Sequence, residues 1–167
     1  RYLNKIVFLN SAHIPYSEIQ LDGNVHFIGT QGVGKDAAPA ILFFYNADTQ
    51  RLGIPVEKKS YQDYYFPYAD SSIIYEVARE DGWFTVLSYK TMNRICYRFI
   101  ASRTADLFID EEGAPYPSDR IRSVLDKNGI KYSGAISTYE EYRNILYGTR
   151  IINGITPVIL DGERLLP

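Results

Sequence analysis

The sequence contains one cysteine and two histidines among 167 residues, and this scarcity excludes several kinds of site. The single cysteine, Cys96, has no partner for an internal disulfide, and a thiolate-rich zinc site needs several cysteines. With only His13 and His26 as imidazole ligands, a metal site built entirely from protein side chains is not expected. Disulfide scaffolds and thiolate zinc sites are therefore excluded.

The sequence also lacks a long apolar run and a strong net charge. No stretch approaches the roughly 20 apolar residues that span a bilayer, and no signal peptide precedes the first predicted strand. We therefore expect no membrane partner and a cytoplasmic location. The net charge of −2 gives no overall attraction for nucleic acid, so any DNA contact would have to come from a local basic patch.

The composition is that of a globular domain. Apolar residues make up 46% and charged residues 23% of the chain, which disfavours disorder. No Pro- or Gly-rich linker interrupts the sequence, so we predict a single domain over residues 1–167. The first residue is Arg1 rather than Met, which suggests a segment of a longer protein.

The most specific motif is the glycine-rich string GTQGVGK, from Gly29 to Lys35. It follows an apolar run and precedes the segment Ala37–Tyr45, whose nearly uniform apolar character predicts a buried helix. Strand, glycine turn, lysine and helix in this order indicate a phosphate-binding loop, in which backbone amides and the helix N-terminus cradle a polyphosphate. Lys35 would reach the β- and γ-phosphates. The predicted nucleotide-binding residues of this loop are Gly29, Gly32, Val33, Gly34 and Lys35.

The residue after this lysine departs from the motif. Ser or Thr is expected there, because its hydroxyl joins the magnesium shell, and the sequence has Asp36. Asp36 can coordinate magnesium itself, but it also places a negative charge beside the phosphates. At about 4 Å and an effective dielectric constant of 20, such a repulsion is worth roughly 4 kcal/mol per charge pair. The alternative is a loop that is intact in shape and empty.

The remaining pattern predicts an α/β fold, with a twisted and mainly antiparallel sheet against the phosphate-loop helix and two peripheral helices. The turn Asp22-Gly23-Asn24 predicts a hairpin between Ser17–Leu21 and Val25–Ile28, and residues 46–72 show mostly loop signals. The other predicted strands are Tyr2–Leu9, Ser72–Arg79, Trp83–Tyr89, Arg94–Ile100, Leu107–Ile109 and a final one over Ile151–Leu160. The two helices are predicted from Ser118 to about Lys127 and from the capping box Ser137–Glu140 to Tyr147.

Four segments resemble the amino-terminal lobe of the ATPase heads of the SMC, RecF and RecN group, which are ABC-type ATPases that act on DNA. They are IVFLN (Ile6–Asn10), LDGNVHFIG (Leu21–Gly29), TQGVGK (Thr30–Lys35) and AIL (Ala40–Leu42). Two later segments, LFIDEEG (Leu107–Gly113) and YEEYRNILYG (Tyr139–Gly148), are similar to SMC-like subunits of MukB-type and Wadjet-type systems.

The resemblance implies a nucleotide-binding half-head with ATP and Mg²⁺ as cofactors. It also implies that Asn10 and His13, which follow the first strand, lie near the nucleotide. The signature motif and the acidic pair of such heads belong to a carboxy-terminal lobe, and the sequence contains neither. Turnover would therefore need that lobe, and usually a second head, as partners.

Two other functions remain open. The chain could be a degenerate, non-hydrolysing scaffold that binds protein or DNA. It could instead be a self-contained P-loop kinase or hydrolase in which Asp110 or Asp161, each of which follows an apolar run, holds magnesium. A polar turn is the commoner explanation for both acids.

Two clusters have both a binding and a structural interpretation. The basic residues Lys90, Arg94, Arg98 and Arg103 form a stripe that could face DNA, although a solvated strand face is commoner. The aromatic residues between Tyr61 and Tyr68 could stack on bases, but we expect them to cover the sheet.

Overall fold

The fold is built on one six-stranded antiparallel sheet. The computed structural model describes residues 2–11, 14–21, 26–29, 44, 61–80, 82–92, 94–114, 116–117 and 120–146. The strands are β1 Tyr2–Ser11, β2 Ile14–Gln20, β3 His26–Gly29, β4 Ser72–Arg79, β5 Gly82–Thr91 and β6 Arg94–Ser102. Their order across the sheet is β3-β2-β1-β4-β5-β6. The α/β class and the antiparallel sheet predicted from the sequence are confirmed.

The predicted strand pairs are also confirmed. β2 and β3 pair from Ser17 opposite Gly29 to Gln20 opposite His26, as the hairpin signal predicted, although the turn itself lies outside the described residues. β4, β5 and β6 form the predicted meander. Each of these strands alternates its side chains between two faces of the sheet, because successive residues of a strand point to opposite sides.

The first face of the sheet, here called face A, carries the larger hydrophobic core. Its strand residues include Phe8, Tyr75 and Phe99, all at most 3% exposed. Helix α1 (Tyr61–Tyr65) and helix α3 (Tyr139–Leu146) supply the other layer. The α1 segment contributes Tyr64, Tyr65 and Phe66, which are buried in this core, so the expectation that the aromatic cluster covers the sheet is confirmed for these three.

The opposite face, face B, is covered by helix α2 (Ile121–Lys127) and the segment before it. Ile121 and Leu125 pack with Phe108 and with strand residues such as Val7 and Ile74 in a second core. The two helices predicted as peripheral therefore cover opposite faces, and α3 is part of the main core because its Tyr142 is fully buried.

Helices α2 and α3 have recognisable capping residues. α2 stops where Gly129 has φ +68° and Ile130 N donates to Leu125 O at 2.9 Å, the arrangement expected of a glycine C-terminal cap. The N-terminal cap of α3 is Thr138, whose Oγ1 accepts from Glu141 N at 3.3 Å. The predicted capping box is thus shifted by one residue. Ser118, the predicted N-terminal residue of the helix observed as α2, lies outside the described residues.

Two predictions from the sequence are wrong. The stretch predicted as loop contains α1, and the strand predicted at Leu107–Ile109 is mostly a turn. Asp106, at φ +59°, turns the chain before it. Phe108 is nevertheless 2% exposed, so the apolar run reflects a side chain inserted into the face B core rather than a strand. The final predicted strand, Ile151–Leu160, lies outside the described residues.

The outer edge of β6 is covered by residues 132–136. Tyr97 N donates to Ile136 O at 2.8 Å, and Ile136 N donates back to Tyr97 O at 2.9 Å. Between these bonds and a second bridge at Tyr132, the Oγ of Ser133 accepts from Phe99 N at 2.9 Å. A short antiparallel segment therefore satisfies two outward-facing amides in the middle of this edge strand. Among the described residues, no helix has the length and apolar character needed to cross a bilayer.

Replacing Gly82 with Ala should destabilise the fold by about 1–3 kcal/mol. Gly82 has φ +149°, and a Cβ there would lie 2.4 Å from the carbonyl oxygen of Ser102 on β6. The matched control is Gly134→Ala, since no atom lies within 4 Å of its added Cβ. Chemical denaturation of both variants tests this, and equal stabilities would contradict it.

Candidate functional site

The predicted nucleotide site maps to one edge of the sheet. β1, β3 and β5 run in the same direction because each is separated from the next by one antiparallel strand. Their carboxyl ends, at Ser11, Gly29 and Thr91, therefore lie along the same edge, which we call the loop edge. The chain that leaves β3 toward Lys35 starts at this edge.

The structure describes two of the predicted site residues. Gly29 ends β3 opposite Ser17, and Ser17 lies opposite Phe8 of β1. Asn10 is two residues further along β1, so strand geometry places its Cα about 12 Å from that of Gly29. The two residues thus share the loop edge without direct contact. The other predicted residues, Gly32, Val33, Gly34, Lys35, Asp36 and His13, lie outside the described residues.

Asn10 is held by the segment that leads into β4. Its Nδ2 donates to Asp70 Oδ2 at 3.0 Å, and its backbone oxygen accepts from Ser71 Oγ at 2.5 Å. Asn10 has φ +49°, a left-handed conformation that Asn tolerates better than most residues. This brings the exposed Asp70 carboxylate to the loop edge, a residue that the sequence analysis missed because nothing in its local pattern distinguishes it from a turn residue.

Three buried hydroxyls also lie near this edge. Ser11, Ser17 and Ser72 are fully buried, and within the described part of the chain their Oγ atoms have no hydrogen-bond partner. Ser17 points to face A beside the end of β3, whereas Ser11 and Ser72 point to face B. Buried hydroxyls without partners are costly, so each has the capacity to donate to a water or a ligand.

The chain beyond Gly29 returns to the sheet at Phe44. Phe44 is helical and fully buried, and its ring centroid lies 4.9 Å from that of Tyr75 on β4. The hydroxyl of Tyr142 on α3 donates to the backbone oxygen of Phe44. A helical residue in the middle of face A agrees with the buried helix predicted over Ala37–Tyr45, of which only this residue is described.

A second polar cluster lies on face B at the other end of β1. Lys5 Nζ lies 3.0 Å from Glu18 Oε1 and forms an ion pair with Asp106. Glu76, only 1% exposed, accepts from Asn4 Nδ2 at 3.0 Å and from the backbone N of Asp106 at 2.9 Å. The register between β1 and β4 shifts at Asn4. This bulge lets consecutive polar residues serve one cluster, which we call the Lys5 cluster.

The Lys5 cluster shifts the protonation equilibria of its members. Burial raises the pKa of Glu76, although the amide of Asp106, Lys5 and Asn4 oppose the shift. Burial alone would lower the pKa of Lys5, but the hydrogen bond to Asp106 and the charges of Glu76 and Glu18 outweigh it and raise the pKa. Lys5 therefore stays charged, and it ties the segment after β6 to β1 and β2.

Two of the other predicted binding groups, Asp110 and Arg98, have structural roles. Asp110 Oδ1 accepts from the backbone N of Glu112 and of Ala114, each at 2.9 Å, so its carboxylate stabilises the predicted polar turn. No cluster of three potential metal ligands occurs among the described residues.

Arg98 of the predicted basic stripe is half-buried, with its guanidinium 5.9 Å from the rings of Tyr89 and Tyr132, whereas Arg94 is exposed. Asp161 lies outside the described residues.

The comparisons with known proteins give one match. A family model described as "Protein of unknown function (DUF3584)" matches residues 12–159. No curated protein and no solved structure matches the chain significantly.

Proposed function

The chain belongs to the DUF3584 family, and we propose that it is the ATP-binding amino-terminal lobe of an SMC-like ATPase that acts on DNA. Residues 32–35 hold the β- and γ-phosphates in this proposal, and the ammonium group of Lys35 neutralises part of their charge. Asp36 occupies the position of the usual magnesium ligand. The cytoplasmic location predicted from the sequence belongs to the same proposal.

One observation supports this proposal: the positions of Gly29 and Phe44, the nearest described residues on either side of the glycine loop. The sequence motif begins where β3 ends at the loop edge, and Phe44 lies in a helix packed on face A of the same sheet. A phosphate loop requires this succession of strand, turn and helix, because the helix N-terminus must point its amides at the phosphates. The exposed carboxylate of Asp70 and the amide of Asn10 lie at the same edge, where they are available to a magnesium shell.

The proposal assigns turnover to a complete head. Phosphoryl transfer depends on positioning by several groups at once, including a metal shell and a residue that orients the attacking water. The resemblance to SMC-type heads assigns those groups to a carboxy-terminal lobe, with a second head facing it. The chain alone should therefore bind ATP without appreciable hydrolysis.

A second candidate function follows from Asp36. A carboxylate beside the phosphates opposes nucleotide binding, and this favours a scaffold that keeps the fold and binds protein or DNA without nucleotide. Nucleotide affinity distinguishes the two candidates.

Replacing Lys35 with Ala should abolish measurable ATP binding if the proposal is right. The wild-type chain should bind a fluorescent ATP analogue in the presence of Mg²⁺, and chelation of the metal should weaken binding because Mg²⁺ screens the charge of Asp36. Fluorescence anisotropy or calorimetry with and without the metal measures both effects.

The matched control is Lys127→Ala, an exposed lysine in the last turn of α2 on face B. It removes the same charge away from the loop edge and should leave ATP binding unchanged. Absence of binding by the wild-type chain would favour the scaffold, and hydrolysis by the chain alone would favour the self-contained enzyme.

A further inference from the structure

A cleft of about 880 Å³ opens at the end of the sheet opposite the loop edge. It lies where β4 ends and β5 begins, near Gly82, and it is closed on the other side by the end of α2 and the segment after β6. Cross-strand pairing places Ser88 of β5 level with Gly29 of β3 across the sheet. Gly82 lies six residues before Ser88 on β5. Strand geometry therefore separates the cleft from the glycine loop by about 20 Å along the strands.

The charge of this cleft is opposite to that of the whole chain. Arg79, Arg103 and Lys131 line it, and among the described residues of the lining Asp106 is the single acidic one. The guanidinium of Arg79 lies over the Phe84 ring of the face A core, so Arg103 and Lys131 are the cations available beside Trp83, and Asp106 forms an ion pair with Lys5. Arg103 and Lys131 are exposed, and neither forms an ion pair with a described residue. The chain as a whole carries a net charge of −2, so this concentration of positive charge is local.

Trp83 provides an aromatic surface in the same cleft. It is half-buried and lies on β5 between Ala78 of β4 and Ser102 of β6. Both cross-strand neighbours have small side chains, so neither extends across the indole ring. The floor is apolar and includes Leu107, Ile130 and other residues of the face B core. A half-buried ring in a cleft with apolar lining suits a flat, unpaired base.

The end of α2 also disfavours an anion, because the carboxyl end of a helix carries a partial negative charge. Its last carbonyls are, however, already hydrogen-bonded. Val124 O accepts from Asn128 N at 3.1 Å, Leu125 O from Ile130 N at 2.9 Å and Asp126 O from Gly129 N at 3.2 Å. This capping leaves the cationic side chains as the dominant charges of the cleft.

We propose that this cleft binds a nucleotide unit with an unpaired base, with the base against Trp83 and the phosphate beside Arg103 and Lys131. A volume of this size is within the range of roughly 300–1,000 Å³ typical of small-ligand sites. The same chemistry is offered by a free nucleotide and by a nucleotide within a single strand of DNA. The site is independent of the glycine loop and of the proposed ATP binding.

The experiment uses the only tryptophan of the chain as its probe. In a Lys35→Ala background, which removes the proposed ATP site, short oligo(dT), dTMP and inorganic phosphate are titrated while Trp83 fluorescence is recorded. Stacking should quench the indole with oligo(dT) or dTMP, whereas inorganic phosphate should leave it unchanged. Tighter binding of oligo(dT) than of dTMP identifies a strand as the source, and equal binding identifies the free nucleotide.

Two sets of variants locate the binding, with a fluorescein-labelled oligo(dT) or dTMP and anisotropy as the readout. Arg103→Glu with Lys131→Glu should weaken affinity roughly tenfold or more and reduce its salt dependence, because two phosphate-facing cations are reversed. Lys127→Glu with Arg143→Glu makes the same charge change at exposed residues outside the cleft. Trp83→Ala should cost roughly tenfold through lost stacking, and Trp83→Phe should restore most of it.

Three results would overturn the proposal. The first is the absence of quenching by both nucleotide probes. The second is equal weakening by the two charge-reversal pairs, since that would indicate a general charge effect. The third is binding of duplex DNA as tight as that of the single strand, because paired bases cannot stack on Trp83.

Discussion

Replacing Lys5 with Met should lower the free energy of unfolding by about 3 kcal/mol, the lower end of the range for breaking a buried ion pair. The side chain of Lys5 is 8% exposed, and those of its partners Glu18 and Asp106 are 13% and 48% exposed. Met fills a similar volume, so the loss comes from carboxylates left without their cation rather than from a cavity. Asp106 is half exposed, which keeps the expected loss at the low end.

The effect of Lys5→Met should depend on pH. Glu76 has its pKa raised by burial, so the folded state holds this proton more tightly than the unfolded state does. Stability from protonated Glu76 is fully present below the unfolded pKa of about 4.3 and is lost as pH rises through the folded pKa. Without Lys5 that folded pKa rises further, and the stability difference between variant and wild type should narrow as pH falls from 7 to about 4.

Urea denaturation at several pH values measures both parts of this prediction. Lys127→Met, at an exposed position, is the control and should change stability by no more than about 0.5 kcal/mol. A double variant with Glu76→Gln should recover part of the loss at neutral pH. A loss from Lys5→Met as small as that of the control would mean that the Lys5 cluster contributes no stability.

Replacing Asp36 with Thr should raise the affinity for Mg²⁺-ATP by up to about a thousandfold. The change removes a charge repulsion worth roughly 4 kcal/mol at an effective dielectric constant of 20, and each 1.4 kcal/mol is a factor of ten. It also restores the hydroxyl that a magnesium shell uses in this motif. Calorimetric titration of the variant and the wild type gives the ratio directly.

Asp36→Asn separates the two contributions to this effect. It removes the charge without supplying a hydroxyl, so it should recover the part due to repulsion. If Asp36→Thr and Asp36→Asn both bind ATP more weakly than wild type, Asp36 acts as a magnesium ligand and the repulsion argument is wrong. If none of the three chains binds ATP, the degenerate scaffold is the better interpretation.

The strands were predictable because their signals are local. Alternating or continuous apolar runs bounded by turn residues such as Asp22-Gly23-Asn24 define β1 to β6 to within a few residues. Gly129 ends one helix and Thr138 begins another, through contacts that reach only three to five residues along the chain. In each case the residues that determine the element are also the ones that form it.

The errors arise where tertiary contacts outweigh local pattern. Phe108 looks like a strand residue because it is apolar, but its burial depends on α2 packing against face B. α1 is only five residues long and is stabilised by the packing of Tyr64 and Tyr65 on the sheet. The Lys5 cluster joins residues from β1, β2, β4 and the segment after β6, and no sequence pattern connects positions so far apart.

The predicted site is less completely accounted for than the fold. Gly29 and Asn10 share the loop edge, as expected if both lie near a nucleotide, and Asp70 joins them through a hydrogen bond that only folding creates. The roles of Gly32, Val33, Gly34, Lys35, Asp36 and His13 stay predictions from the motif and the resemblance. Of the residues that line the basic cleft, only Arg103 was predicted from the sequence to take part in binding. Arg79, Trp83 and Lys131 were not, because they come together from separate elements.

Because residues 132–136 cover β6, they limit where another strand can be added to this sheet. The amides of Tyr97 and Phe99 are already donated to Ile136 and Ser133, so the middle of β6 cannot pair with an incoming strand on that flank. On the opposite flank, β3 has no strand neighbour other than β2 among the described residues. Within the described part of the chain, the flank left open for β-augmentation is therefore the one beside β3, which is itself the strand that leads into the glycine loop.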